Sequence, residues 1–489
     1  MMIERRCAAF SKFIDTDEEY SIKPFLLNLD EIFLNSFLSS QDKLAFSLRL
    51  ILEDELKLIK FGINQLRNFS LALINNPNIK HEITETNIKD IFNLMVKVAD
   101  SQIIFEAAWV FINLTQISKL YTNMIAKCED IITGLFDMLE SKKDLKIKNQ
   151  ILWIFANLIG DGEEIFLLIT NSVDIINYVC NQISVHSDLP NYFKINLFWI
   201  TGNFLKYKTF PKEDNFKSIF SIFPIIIKYI KSQDEFLFSE TLICIFKLVH
   251  HLNDEVFEFL KNSEITKTIV PLISVNTHHC DLGNIIAIIM NLSWKDDTNI
   301  EEMVNLNIYD YMEQFLFDYL NLLKSGENTN LRKNVKLLKE FLICISNFSS
   351  CDKKYIQEAL IKNKKIKKYL IELLEYFPNK EIVYEVLLIF YNLLGSDDIK
   401  IKAEILRIQV PELFLEYLAR DYDPKIKSLC LNGINEFLEY GDQIIPEKNI
   451  VLEHLTLLGL PCELYKLSTD ANEELAEISN QIYNLYYNY

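Results

Sequence analysis

Three times in this chain a tryptophan is followed four positions later by an asparagine, inside an apolar stretch. The segments are AAWVFINLT (Trp109, Asn113), ILWIFANLIGDG (Trp153, Asn157) and LFWITGNFLK (Trp199, Asn203). A spacing of four puts both side chains on one helix face, one turn apart. Successive tryptophans stand 44 and 46 residues apart, so the pair recurs once per structural repeat. The asparagine is a phase marker that continues beyond the tryptophans. Lys247 takes its position in TLICIFKLVHHLNDE, and Asn291, Asn347 and Asn392 follow, at steps of 44, 44, 56 and 45. A near-constant period in the forties is that of armadillo and HEAT helical arrays. The long step holds an insertion, marked by the polar stretch SGENTNLRKN from Ser325 to Asn334.

Each unit repeats one order of parts. An apolar helix ends in the motif, a short polar break such as GDGEE or KDDTN follows, and a second amphipathic helix such as IINYVCNQI or ITKTIVPLI comes next. A chain of 489 residues exceeds the usual ceiling for one compact core. Gly and Pro, 11 of each, are too few for many β-turns. The expected fold is all-α: a right-handed α-solenoid of armadillo or HEAT-type repeats. It is expected to span residues 46–489, behind an N-terminal helical cap at 1–45.

Core packing explains one Trp–Asn pair, because tryptophan usually lies largely buried. It does not explain why an amide that is costly to bury unpaired recurs in six of seven repeats. The net charge of −18 argues against a direct nucleic-acid partner and favours cationic ligands. Nine cysteines without a CxxC pair point to a reducing compartment rather than to disulfides or a zinc site. The start, MMIERRCAAFSKF, lacks the apolar run of a signal peptide, and stretches such as VYEVLLIFYNLL are too short to span a bilayer. A soluble intracellular protein is expected, with no membrane partner.

No GxGxxG, Walker or GxSxG sequence is present, and no catalytic constellation stands out. Neither an enzyme nor a cofactor is expected. His278-His279-Cys280 and His250-His251 have no second ligand pair at metal-site spacing, so no metal is expected either. Four N-x-S/T sequons occur, at Asn68, Asn113, Asn291 and Asn347. Three of them are the repeat asparagine itself, on a helix, which argues against glycosylation.

These segments resemble the importin-α (karyopherin-α) family. ILWIFANLIGDG is similar to its consensus, in which a Trp-Ala-Leu-Gly-Asn helix runs into Gly-Asp. AAWVFINLT resembles the preceding repeat and LFWITGNFLKYK the following one. The likeness runs from KFGINQLRNFS, at Lys60, to LGLPCELYKLSTDANEELAEISNQIYNLY, which is similar to the family's last repeat. The resemblance implies a right-handed α-solenoid of about ten armadillo repeats that serves as a nuclear import adaptor of cytoplasm and nucleus. Its concave groove would receive cargo proteins through localisation signals rich in Lys and Arg. The alternative is an armadillo or HEAT-type scaffold that binds another protein partner without import activity.

By this resemblance the major signal site comprises Trp109, Asn113, Thr122, Gln150, Trp153, Asn157, Asp161, Trp199 and Asn203. An asparagine amide can satisfy one backbone donor and one acceptor, so the row would clamp an extended main chain. Parallel indole faces would leave slots for lysine stems, with a cation–π attraction of about 0.5–2 kcal/mol each. Asp161 matches the aspartate that pairs with the signal's most critical lysine, Thr122 the threonine of that pocket, and Gln150 a flanking glutamine. Ile117 replaces a small glycine and is expected to narrow the pocket or redirect its loop.

A second, minor site keeps Asn291, Glu340, Asn347, Glu385 and Asn392. Ile343 and Leu388 stand at its tryptophan positions and Ala287 at its arginine, so it is expected to be degraded and weak. Trp294 lies beyond Asn291 and does not belong to the array; Ile243 and Lys247 replace an aromatic pair between the two sites. The family's basic importin-β-binding segment has no counterpart in the first 45 residues, where Arg5, Arg6, Lys12, Lys23 and Lys43 are set among acids. Importin-β is therefore not an expected partner, and PFLLNLDEIFLNSFL is expected to form an amphipathic cap helix. The resemblance also implies the family's export factor as a partner, at the C-terminal repeats.

Overall fold

The computed structural model describes residues 40–75, 83–185, 188–251, 253–274, 277–325, 335–444 and 448–487. The expected cap helix PFLLNLDEIFLNSFL and the pair Arg5 and Arg6 lie outside the described residues, as does the stretch SGENTNLRKN beyond Ser325. Among the described residues every regular element is a helix. Contacts divide the chain into two compact units, which meet in sequence at His251 and Leu252.

From Lys119 onward the described helices come in threes. Lys119–Ala126, Glu129–Ser141 and Leu145–Gly160 form one repeat; Glu163–Ser172, Ile175–Val185 and Asn191–Phe204 form the next. Three helices in forty-odd residues is the armadillo form of this class of array. The motif always lies on the third helix. These third helices, with the last helix of each of the two earlier sets, are α1 (Leu56–Asn75), α2 (Ser101–Ile117), α3 (Leu145–Gly160), α4 (Asn191–Phe204) and α5 (Glu235–Val249) in the first unit. In the second unit they are α6 (His279–Lys295), α7 (Val335–Ser349), α8 (Lys380–Leu394) and α9 (Pro424–Ile444).

Local sequence sets where these helices begin. Asp100 accepts hydrogen bonds from the backbone of Gln102 and Ile103, starting α2; Asp144 and Asp234 do the same for α3 and α5. Each such cap stabilises its helix by about 0.5–2 kcal/mol. The third helices are apolar almost all round: α2 buries an unbroken run from Ala107 to Leu114, and α3 one from Asn149 to Ala156. A helix of that kind must be covered on several sides. Here the cover comes from its neighbours: α1 packs on α2, α2 on α3, α3 on α4 and α4 on α5. The second unit repeats this, with α6 on α7, α7 on α8, α8 on α9 and α9 on the last helix, Glu473–Tyr487. The result is an all-α solenoid, and equivalent positions of successive repeats line up in rows.

Three details depart from the simplest reading. The boundary expected at residue 45 falls inside the helix Ser40–Leu50, which packs on α1. Part of the long step is taken up by the helix Ile308–Ser325, extended to 18 residues. The segment ITKTIVPLI forms a short helix, Ile265–Ile269, that tightens into a 3₁₀ turn at Pro271, where a missing N–H ends the helical ladder.

Candidate functional site

The helices α2, α3 and α4 bring Trp109, Trp153 and Trp199 into contact. Ring centroids lie 5.3 Å apart for the first pair, with the planes tilted by 59°, and 6.1 Å for the second, at 80°. The expected stack of parallel faces is absent. A methylene stem touching two faces at once needs about 7–8 Å between them, and these gaps are smaller. The rings instead adopt the tilted and edge-to-face packing that aromatic quadrupoles favour. Trp109 and Trp153 are 6% and 1% exposed, and Trp199 is half-buried. Trp109 is also covered by a cation of the chain itself. The Arg67 guanidinium lies 5.1 Å from its ring centroid and donates to Glu106 at 2.9 Å.

The asparagines carry a pattern that sequence reasoning missed. Asn113 Nδ2 donates to Ser70 Oγ at 2.9 Å, and Asn157 Nδ2 to Thr115 Oγ1 at 2.8 Å. In the second unit Asn347 reaches Ser293 Oγ at 2.9 Å and Asn392 reaches Ser349 Oγ at 3.2 Å. Each acceptor is the hydroxyl residue of a sequon, two positions beyond the preceding repeat's asparagine. All four sequons serve in this way, and they extend the series back to Asn68. In every case the hydroxyl donates its own proton to a backbone carbonyl three residues earlier: Arg67, Ile112, Met290 or Ser346. That leaves its lone pairs facing the incoming amide. Where the preceding motif lacks a hydroxyl the asparagine adapts: Asn203 donates to the Ala156 carbonyl at 2.7 Å, and Asn291 to Ala287 in its own helix at 2.7 Å. The sequence signal was the N-x-S/T triplet itself.

Asp161 ends α3, and its backbone N–H bonds to the Leu158 carbonyl at 3.2 Å. Its Oδ2 is buried and has no hydrogen-bond partner among the described residues. Close by, Lys206 Nζ donates to the Gly160 carbonyl at 2.5 Å and Tyr207 donates to the Ile159 carbonyl at 2.8 Å. Burial, helped by the carboxylates of Asp161 and Glu163, pushes the Tyr207 phenol up to about 12. Thr122 is fully buried on the helix Lys119–Ala126, with Oγ1 3.4 Å from the Ser118 carbonyl that it donates to. Gln150 is buried, and its Oε1 has no partner among the described residues. Ile117, the last residue of α2, is half-buried.

In the second unit Asn291, Ile343, Asn347, Leu388 and Asn392 are half-buried and form the corresponding rows. Glu340 pairs with Lys336 at 3.7 Å. Glu385 is only 7% exposed, and burial pushes its carboxyl up to about 6 against the pull of Lys339, with Glu381 adding to the rise. Trp294, one turn beyond Asn291, is 76% exposed. Among the described residues no three His, Cys, Asp or Glu side chains gather as a metal set, and no helix is long and apolar enough to cross a membrane.

No protein-family model and no curated protein sequence matches the chain. Among solved structures it is similar to an engineered protein from a structural-genomics programme, at 12% identity and a TM-score of 0.67, over 90% of this chain and 97% of that one. Two designed armadillo repeat proteins match about half of the chain. One has a TM-score of 0.42 at 15% identity, over 53% of this chain and 97% of its own. The other, solved in complex with the peptide (KR)4, has a TM-score of 0.40 at 11% identity, over 51% and 99%. The full-length likeness is one of fold: a solenoid of stacked helical repeats.

Proposed function

We propose that the surface of α2, α3 and α4 binds extended Lys/Arg-rich segments of other proteins, and that the protein is a nuclear import adaptor moving between cytoplasm and nucleus. The observation that supports this is the carboxylate of Asp161. One of its oxygens is buried without a donor among the described residues, four positions beyond Asn157 and eight beyond Trp153. A buried carboxylate oxygen without a donor is costly, and a ligand ammonium would satisfy it. The chain's net charge of −18 adds long-range attraction for such a ligand. In this reading Asn157 and Asn203 offer their carbonyl oxygens to the ligand's main chain, because their amide nitrogens already hold the preceding repeat. The indoles must part for a lysine stem to enter, so binding includes a rearrangement of Trp153 against its neighbours. The second-unit row of Asn291, Asn347 and Asn392, with Glu340 and Glu385, is a weak second site.

A scaffold that binds another kind of partner is the second reading, favoured by the closed indole row and the engaged amides. Fluorescence anisotropy with a labelled Lys-rich signal peptide separates the two. Tight, salt-sensitive binding that is lost in Asp161→Lys supports the adaptor. Absence of binding in both proteins leaves the scaffold.

A further inference from the structure

Within the second unit, residues 353–368 hold seven lysines against one glutamate, in a chain whose net charge is −18. They form the helix Lys354–Lys362 and the start of the helix Lys364–Tyr376, and the former packs against Ile399–Arg407 of the following repeat. Two cavities of about 420 and 630 Å³ open along these helices, sharing Lys364, Glu404 and Arg407 as walls. Their apolar lining comes from Ile361 and Ile401 in one and from Ile371 and Ile408 in the other.

The charges of this cleft do not cancel. Six cationic and four acidic side chains line it. Lys362 pairs with Glu358 at 2.6 Å and Lys368 with Glu372 at 3.5 Å. Lys367, 3% exposed, is held by Glu404 at 2.7 Å, and Glu404 also takes Arg407 at 3.4 Å. That pair, buried on its lysine side, ties the helix Lys364–Tyr376 to the helix Ile399–Arg407 and keeps the walls in place. Lys364 and Lys400, on different helices of the smaller cavity, have no carboxylate partner among the described residues.

We propose that this cleft docks an extended acidic segment of a partner protein. Carboxylates of the ligand meet Lys364, Lys400 and the outer edge of Arg407, while alternate apolar side chains rest on the isoleucines. Charge pairing inside a partly enclosed cleft is stronger than on an open surface, because less water screens it. The same geometry disfavours nucleic acid. A phosphate chain needs many cations in a row, and here four glutamates and a strongly acidic chain oppose it. The site stands independently of the groove on α2–α4 and selects the opposite charge.

The test is fluorescence anisotropy of the full chain with a labelled peptide alternating glutamate and leucine. Saturable binding is expected, weakening by about tenfold or more in the Lys364→Glu, Lys400→Glu double variant and falling with salt. The same peptide with glutamine for glutamate should lose about as much, and Asp161→Lys should change nothing. If circular dichroism shows the double variant to be unfolded, Lys364→Gln with Lys400→Gln takes its place. Equal binding by the folded variant, no saturable binding by the parent, or an oligonucleotide of equal charge binding as well as the peptide would each overturn the proposal.

Discussion

The guanidinium of Arg67 lies over the indole of Trp109, 5.1 Å from the ring centroid, and is held there by Glu106 at 2.9 Å. The chain thus supplies its own cation to the first ring of the row. If the row receives lysine-rich ligands, Arg67 competes for that face. Replacing Arg67 by Gln removes the competitor and leaves Glu106 unpaired for a ligand cation. A rise of about two- to tenfold in affinity for a Lys-rich peptide is expected, matching one surface cation–π contact. Tryptophan emission should shift to the red as Trp109 gains water. Unchanged or weaker binding would show that Arg67 shapes the surface rather than blocking it.

The amide–hydroxyl bonds between repeats should be energetically coupled. Asn157 and Thr115, joined by one hydrogen bond of 2.8 Å, give the cleanest pair. A double-mutant cycle of Asn157→Leu and Thr115→Val in urea unfolding should return a coupling of about 0.5–1.5 kcal/mol. A coupling of zero would mean that the hydroxyl is only a bystander.

Gly433 offers a test of close packing in the second unit. Alanine normally favours a helix over glycine by about 1 kcal/mol. Here a Cβ would fall 2.3 Å from Phe414 Cε1, on a ring that is fully buried. Overpacking of that kind costs about 1–3 kcal/mol, so Gly433→Ala should lower stability overall. Thermal unfolding measures the loss; a gain would mean that the Phe414 ring moves aside freely.

Glu385 should give a pH-dependent contribution of opposite sign to that of most carboxylates. Its carboxyl is pushed up to about 6, mainly by burial, so the folded chain holds this proton more tightly than the unfolded chain does. Its ionised form therefore opposes folding near neutral pH, and that opposition fades as pH falls through about 6 towards the unfolded value. Glu385→Gln is expected to be about 1–2 kcal/mol more stable than the parent at pH 7. The two proteins should converge only as pH falls below the ordinary carboxyl value of 4.5. A difference independent of pH would remove the titration from the explanation.

Helix, period and phase were all readable from the Trp–Asn spacing, because a 3.6-residue repeat of apolar residues and a fixed step between motifs are local properties of the chain. The tilt of Trp153 against Trp109 was not, since it depends on how two helices from separate repeats approach. Arg67 carried no motif; only its place opposite Trp109 gives it a role. The sequons were visible as text but belonged to another grammar. Ser70, Thr115, Ser293 and Ser349 acquire meaning only once the next repeat's asparagine is brought beside them. The inner positions of Thr122 and Gln150 likewise follow from packing, which spacing alone does not determine.

Every one of these amide–hydroxyl bonds points the same way, from an asparagine back to the repeat that precedes it in the chain. During synthesis from the N-terminus, each new repeat meets acceptors that are already folded and aligned. The ladder is thus suited to assembly in the order of translation. Shortening such an array from its C-terminal end exposes only a hydroxyl, which water can satisfy. Shortening it from the other end exposes the asparagine amide instead, so the two cuts leave different polar groups to water.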